Sequence, residues 1–462
     1  MPSQFWGDSI LTATHLINRM PSRGESVSET RPPLTFDCLD VAVFESTLCL
    51  ISTPSPNTEG HLNSKGDTEL QTIGNTHLLK EAKSKFNETL ISEALKESEP
   101  VIVSTLETNL DWPLHQFDIK NVFLNGELEE EVFMMLPPRF YKEEEETRVC
   151  KLKKSLYGLK QSPRAWFDRF AKVIKNPGYQ QGQSDHTMLF KQSNDGRMTI
   201  LIVYVDNIIL IGDDTGEVER LKKVLATEFE VKDLGQMRYF QGMEVARSRK
   251  GISISQRKPD IAFAISVVSQ YMHSPKESHL EVMYKILKYL KGSPGRGLFF
   301  KKSDSKKVEI YTDADWAGSA DDRRSTTGYC TYVWGNLVTW RSKKQSVVAR
   351  NSAETEFKAV AQGMCEGLWL QKLLEELNIT IEPPIKLYCY NKAAISISHN
   401  PIQHDKTKHI EVDRHFIKEK IEKGIICMTY IPTREQLADI FTKGLQKSSF
   451  EDFICKLDMI NI

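Results

Sequence analysis

Residues 200–211 read Ile-Leu-Ile-Val-Tyr, then Val-Asp-Asn, then Ile-Ile-Leu-Ile. Two apolar runs of strand length around a short polar turn predict a buried β-hairpin. Around it, from Val101 to Arg249, strand-like and helix-like stretches mix. The 462 residues are enough for two or three domains. A net charge of −1 excludes a globally basic nucleic-acid binder and leaves any phosphate contact to local Lys and Arg clusters. The eight cysteines stand singly with no C-x-x-C pair, which predicts reduced thiols and no zinc-ligand spacing. No apolar run approaches the roughly 20 residues of a membrane span, and the N-terminus lacks the basic start and apolar core of a signal peptide. An intracellular protein, cytoplasmic or nuclear, is expected.

The first hundred residues carry the least pattern. Phe5 to Met20 fits a short amphipathic helix, Pro21 to Ser84 reads as linker or disorder, and Val41–Phe44 with Leu48–Ile51 as a strand remnant. Beyond the hairpin, the strand-like Gly251–Gln256 meets Pro259 with almost no connection, Asp260–Lys291 reads as mostly helical, and Gly292–Gly297 as a loop. From there the order is clearer: a strand over Val308–Asp313, then Thr326–Val333 and Leu337–Arg341 as a hairpin turning at Gly335-Asn336. Asn351 opens a long helix, followed by a strand at Lys386–Tyr390, a helix at His409–Ile421, a strand at Gly424–Ile431 and a last helix from Pro432-Thr433. That order describes a mixed α/β domain.

Carboxylates are the candidate chemistry. Asp206, at a tight turn between buried strands, can hold a divalent metal in a fixed place, and Asp118 in Gln116-Phe-Asp-Ile-Lys-Asn121 is the candidate second acid for two-metal nucleotidyl transfer. Turn chemistry alone also explains an Asp-Asn pair. In the long helix, Glu354 fits the third position of a capping box opened by Asn351. Glu356 has no such duty and lies at the edge of the core-facing stripe, where an unpaired acid is costly. Asp439 fits an early-turn acid after a Thr433 and Gln436 capping pair. Asp313 closes its strand, and Asp315, Asp321 and Asp322 read as solvated loop residues. Taken singly, each acid has a local explanation.

The stretches FDIKNVFLNGELEEEVFM, CKLKKSLYGLKQSPRAWFDRF, ILIVYVDNIILIGDD and VKDLGQMRYFQGMEVARSRKGISISQ resemble, in order, the palm segments of copia-type reverse transcriptases. The resemblance implies that Asp118 and Asp206 are metal-binding aspartates, and that Asn207 stands where the family usually has another. It also implies that Lys153, Lys154, Lys160 and Arg164, with Tyr157 and Trp166, line the nucleotide and template side, a basic and aromatic mix suited to phosphates and bases. YTDADWAGSADDRRSTTGYCTYVWGNLVTWRSKKQSVVARNSAETEFKAVAQG, LYCYNKAAISISHNPIQHDKTKHIEVDRHF and IPTREQLADIFTKGL resemble copia-type ribonuclease H. There the matching acids are Asp313, Glu356 and Asp439, while Tyr390 replaces the family's fourth aspartate. A phenol is neutral near pH 7 and a poor ligand for a hard cation. Arg323, Arg324, Arg341, Lys343 and Lys344 are candidate contacts to a hybrid backbone.

Three departures weigh on activity. Asn207 offers an amide oxygen where a carboxylate is expected; no basic fingers segment precedes the first palm aspartate; and Lys258 runs directly into Pro259, where the family usually has a thumb region. The segment from Phe5 to Ser22 resembles the end of an integrase core. The resulting expectation is an α/β (α+β) chain: an integrase remnant at 1–22, a linker at 23–100, a truncated reverse-transcriptase palm at 101–258, a helical connection at 259–300, a ribonuclease H-like mixed-sheet domain at 301–446 and a tail at 447–462. The implied cofactor is Mg2+, and the implied partners are RNA–DNA hybrid or an RNA template with a DNA primer. The implied function is reverse transcription with RNA hydrolysis, impaired in this copy. A non-catalytic nucleic-acid-binding remnant and a poorly folded decayed product are the alternatives.

Overall fold

The computed structural model describes residues 101–135, 149–240, 243–255, 257–271, 274, 276–399 and 408–461, the first five of the last stretch by backbone alone. The helix expected at Phe5–Met20 and the patch at Val41–Ile51 lie outside these residues. The chain divides into two compact units, one holding Pro113–Gln236 and the other residues 101–112 and Met237 onward. Among the described residues no helix is long and apolar enough to cross a membrane, and the six cysteines described are unpaired.

In the first unit a six-stranded sheet runs β4-β5-β6-β7-β1-β8, every neighbour antiparallel. The strands are β1 (Leu114–Ile119), β4 (Gln180–Gln181), β5 (Met188–Gln192), β6 (Met198–Tyr204), β7 (Asn207–Gly212) and β8 (Val231–Gln236); β2 (Phe133–Met135) and β3 (Val149–Lys151) form a separate hairpin. The expected hairpin is β6 and β7, buried along nearly its whole length, which is why its sequence is apolar throughout and not alternating. Two helices, α2 (Ser162–Lys175) and α3 (Thr215–Glu228), share one core with this sheet. Trp166 and Phe170 from α2, and Val218, Leu221 and Leu225 from α3, meet Phe117, Leu201, Val203, Ile208 and Leu210 there. Asp214 caps α3 by accepting the Glu217 N–H at 3.0 Å.

The second unit carries two five-stranded sheets. One runs β15-β14-β13-β16-β17, built from β13 (Val308–Asp315), β14 (Thr326–Val333), β15 (Asn336–Lys344), β16 (Ile385–Cys389) and β17 (Ile426–Tyr430). Its first three strands are antiparallel, and β16 and β17 join parallel, which is the ribonuclease H-like mixed sheet expected. The hairpin turns at Trp334-Gly335, one residue earlier than its sequence suggests, because Val333 pairs with Asn336 and both turn residues take positive φ, 54° and 75°. The long helix α6 (Ser352–Glu376) lies so close to β13 that a Cβ on Gly363 would stand 2.4 Å from Thr312 Cγ2, and one on Gly367 2.3 Å from Ile310 Cδ1. Helices α7 (Lys392–His399) and α8 (Lys408–Glu422) connect β16 to β17.

The other sheet runs β18-β12-β11-β10-β9, from β9 (Tyr239–Phe240), β10 (Met243–Ser248), β11 (Gly251–Ser255), β12 (Arg296–Lys301) and β18 (Met459–Asn461). The expected boundary at 258 therefore falls in the connection between β11 and α4 (Ala262–Ser269), inside this unit. Helix α5 (Glu277–Gly292) follows, and its Met283, Ile286 and Leu290 pack on Ile261 and Val268. Residues 447–462, read from the sequence as a tail, supply α9 (Lys447–Lys456) and β18, which pairs with β12. The helical residues 101–110, α1, also belong here: Glu107 receives Arg247 through both carboxylate oxygens at 2.7 and 2.9 Å.

Candidate active sites

In the first unit the β6–β7 turn consists of Val205 and Asp206, since Tyr204 pairs with Asn207. Asn207 in turn sits opposite Asp118 of β1. The register alone thus brings both predicted aspartates to one end of the sheet. Burial, then the neighbouring Asp206, hold the Asp118 carboxyl above its ordinary range. The Asn207 amide is already committed: its oxygen accepts Gln116 Nε2 at 2.9 Å and its nitrogen donates to Asp206 Oδ1 at 2.9 Å. Where an aspartate would add charge, this amide instead uses one of Asp206's acceptor positions.

Tyr157 stands beside the two acids. Its ring is 48 % exposed and packs edge-on against Phe123 at 4.9 Å. Burial of the phenol, then Asp206 and Asp118, raise its pKa. Trp166, by contrast, is core: it is 2 % exposed, and its Nε1 donates to the Val205 carbonyl at 2.8 Å. It props the turn and offers no face to a base, which corrects the stacking role suggested by its sequence context. Lys153, Lys154, Lys160 and Arg164 are all exposed, Arg164 lying 3.8 Å from Asp168.

Val205 adopts φ 55°, a region that costs an ordinary L-residue roughly 1–2 kcal/mol and a β-branched one more. Its side chain is exposed. Val205→Asn is expected to raise the stability of this unit by about 1 kcal/mol, because Asn tolerates the left-handed region. Denaturant midpoints of the two chains check this, and an unchanged or lower midpoint for Val205→Asn refutes it.

The second unit gathers Asp313, Glu356, Asp439 and Tyr390. Asp313 lies near the end of β13 and is 1 % exposed, Glu356 is fully buried, and Asp439 is 4 % exposed. Parallel pairing sets Tyr311 beside Tyr388, so two residues further on Tyr390 stands next to Asp313. Asn351 caps α6 as expected, accepting the Glu354 N–H at 2.9 Å, and Glu354 accepts the Arg350 N–H and pairs with Lys358. With Glu354 occupied locally, Glu356 is the acid that α6 delivers to the sheet.

Asp439 is held differently from its sequence expectation. The helix expected from Pro432-Thr433 is two 3-10 turns, Thr433–Glu435 and Leu437–Phe441, broken at Gln436. Buried Gln436 donates to the Thr312 carbonyl at 2.9 Å and caps the second turn by accepting the Ala438 N–H, while the first turn starts after Pro432, with Thr433 inside it and no side-chain cap. Two residues that sequence reasoning missed complete the cluster. The Thr442 hydroxyl donates to Asp313 Oδ2, and the Lys443 ammonium lies 3.0 Å from Asp439 Oδ2 and 3.6 Å from Asp313 Oδ2. The i, i+4 spacing of Asp439 and Lys443 was the available signal.

The cluster is electrostatically loaded. Burial, then the Asp313 charge, push the Glu356 carboxyl up to about 9, and the same two causes raise Asp439. Burial alone pulls the Lys443 ammonium down, but Asp313 and Asp439 together hold it above its usual range. The Tyr390 phenol is pushed far up by burial, Glu356 and Asp313. Tyr390 is near enough to Glu356 to shift its ionisation, yet no well-aligned hydrogen bond reaches either Glu356 oxygen. Asp313 Oδ1 and Asp439 Oδ1 are likewise buried without a partner.

The basic residues are less available than their sequence suggests. Asp322 pairs with Arg324 at 2.6 Å and Lys344 at 2.9 Å, so the acid read as solvated loop neutralises part of the track. Asp315 is likewise no solvated loop acid: it ends β13 and accepts the Thr326 N–H. Asp321 accepts the Tyr271 hydroxyl at 2.8 Å.

Residues 80–274 match the family model described as reverse transcriptase (RNA-dependent DNA polymerase). Over 80% of this chain, the sequence is 33% identical to the retrovirus-related Pol polyprotein from transposon RE1 of Arabidopsis thaliana. The chain belongs to the copia-type Pol family. A second relative, the Pol polyprotein from transposon TNT 1-94 of Nicotiana tabacum, is 32% identical over 79% of the chain. This chain spans 29% and 32% of those two copia-type polyproteins. Among solved structures, a foamy viral protease–reverse transcriptase in complex with double-stranded DNA is 12% identical over 72% of this chain and 58% of its own, with a TM-score of 0.37.

A copia-type catalytic region implies divalent ions, since reverse transcriptase and ribonuclease H-like folds generally use them. The donor chemistry of the second cluster suits a hard cation: three acids with four partnerless buried oxygens. Its arrangement does not. Among the described residues no group of three or more His, Cys, Asp or Glu side chains is placed to hold a metal ion, and an ammonium stands beside two of the acids.

Proposed function

We propose that this chain is the reverse transcriptase–ribonuclease H portion of a copia-type polyprotein, a truncated and degenerate copy, that engages RNA–DNA hybrid without polymerising and with little or no cleavage. The observation that carries the reading is the convergence of Asp313, Glu356 and Asp439 at one end of the mixed sheet, buried and with unsatisfied oxygens. Buried acids with unsatisfied oxygens are costly, and a fold keeps them where charge has a task. The impairment follows from Tyr390 in place of the fourth acid, from Asn207 engaging Asp206, and from the missing fingers and thumb segments. Arg323, Arg324, Arg341, Lys343 and Lys344 supply backbone contacts to the hybrid, Arg324 and Lys344 while paired with Asp322 and Arg341 while lying against the buried Tyr329 and Glu366.

Hybrid binding is expected to weaken with salt along a log–log slope near −0.9 for each phosphate contact, taking duplex DNA as the guide. Fluorescence anisotropy at rising salt reads this, and salt-independent affinity refutes it. Primer extension on an RNA template is expected to give no product from the unmodified chain or from Asn207→Asp, because restoring one carboxylate does not rebuild fingers and thumb. Robust extension by the unmodified chain overturns that half of the reading.

A further inference from the structure

One short turn of chain controls the acid cluster. The Lys443 N–H bonds the Asp439 carbonyl at 3.3 Å, so Asp439, Thr442 and Lys443 sit on a single turn, and all three address Asp313. The ammonium lies within 4 Å of Oδ2 on both aspartates and 5.8 Å from the Tyr390 ring centroid. A divalent ion held by the open oxygens of this cluster, Asp313 Oδ1, Asp439 Oδ1 and Glu356, would stand on the same two aspartates that the ammonium pairs. An ammonium and a dication that close repel strongly. The Lys443 side chain is 38% exposed, so its flexible stem has a route out to water.

We propose that Lys443 is a built-in counter-cation of this cluster: its ammonium holds Asp313 and Asp439 together without a metal and excludes a divalent ion until it swings away. The inference rests on reading the cluster as a cation site and does not depend on hydrolysis. It makes the disagreement between donor chemistry and arrangement a property of the chain. Removing the charge while keeping the bulk, with Lys443→Met, exchanges a metal-indifferent unit for a metal-requiring one.

The test uses the full chain carrying Asp118→Asn and Asp206→Asn, so that the first unit's acids do not contribute. Mn2+ is the probe, its binding read from the electron paramagnetic resonance of free Mn2+ and its effect from thermal midpoints. In this background the parent is expected to bind Mn2+ weakly, with no shift in midpoint. Lys443→Met is expected to lose midpoint without metal and regain it with Mn2+, binding at least about tenfold tighter, the modest end of what removing a neighbouring like charge does. Lys443→Arg should behave as the parent, and Asp313→Asn added to Lys443→Met should abolish the gain. The inference is overturned if the parent binds Mn2+ as tightly as Lys443→Met, or if Lys443→Arg binds as Lys443→Met does. A Lys443→Met chain that stays unfolded or unresponsive at every Mn2+ concentration overturns it too, since the ammonium is then not replaceable by a divalent ion. Neither readout is cleavage, so an inactive chain showing this competition counts against the nuclease reading alone.

Discussion

Tyr390→Asp is expected to raise cleavage of RNA–DNA hybrid above background by at least about a hundredfold, on the usual size of a lost charged ligand in such sites. The register puts position 390 beside Asp313, and the phenol there is held neutral by burial and by the neighbouring Glu356 and Asp313 carboxyl groups. Its ring fills space next to three acids while adding no charge and no carboxylate oxygen. An aspartate at 390 restores a fourth acid just past the end of the neighbouring strand and frees that space. Tyr390→Phe separates the two contributions: it removes the hydroxyl and keeps the ring, and should remain inactive. Asp313→Asn in the Tyr390→Asp chain should return cleavage to background. The measurement is hydrolysis of a labelled hybrid in magnesium. Strong cleavage by the unmodified chain, abolished by Asp313→Asn, would show that Tyr390 is tolerated. No gain on Tyr390→Asp would place the impairment beyond this residue, with Lys443 as the next position to examine.

The parts of the fold that were legible are those decided by local chemistry. The apolar runs around Val205-Asp206 gave β6 and β7, Asn351 marked the start of α6, and the capping role of Glu354 left Glu356 as the acid to watch. The elements that escaped are decided by distant partners. Strand β12 pairs with β11, 42 to 50 residues earlier, and the three-residue β18 becomes a strand only by pairing with β12 across more than 160 residues. The helix expected from Pro432-Thr433 looked regular because Thr433 and Gln436 mimic a cap, whereas Gln436 is drawn to the Thr312 carbonyl and the helix breaks there. The hairpin turn was displaced by one residue because Asn336, a good turn former, serves instead as a strand residue whose amide bonds Lys301. In the site, the acids were found by order along the chain. Lys443 was overlooked because a lysine four residues after an aspartate reads as a surface pair until the burial of Asp439 and Asp313 shows otherwise.

Between pH 5 and 9 the second unit is expected to lose stability, and Glu356→Gln is expected to remove most of that loss. The sign follows from proton counts. The Glu356 carboxyl titrates near 4.5 when unfolded but only near 9 when folded, because burial and Asp313 disfavour its charge. Between those values the folded chain holds a proton that the unfolded chain has released, so rising pH favours unfolding, and the effect levels off above 9. At about 1.36 kcal/mol for each unit of pKa, the ceiling is on the order of 5 kcal/mol, a large share of what a domain of this size has to lose. Gln keeps the shape, carries no charge at any pH, and replaces two partnerless oxygens by one oxygen and a donor able to face Asp313. Urea midpoints at pH 5, 7 and 9, followed through hydrogen exchange of β13 and α6 amides, give the two slopes. Parallel slopes for the unmodified chain and Glu356→Gln would refute the assignment and move the pH dependence to Asp439, whose carboxyl is raised by the same burial but stands next to Lys443. A steep slope confined to the unmodified chain would mean that Glu356 is kept at a cost in stability, as expected of a residue retained for chemistry and not for packing.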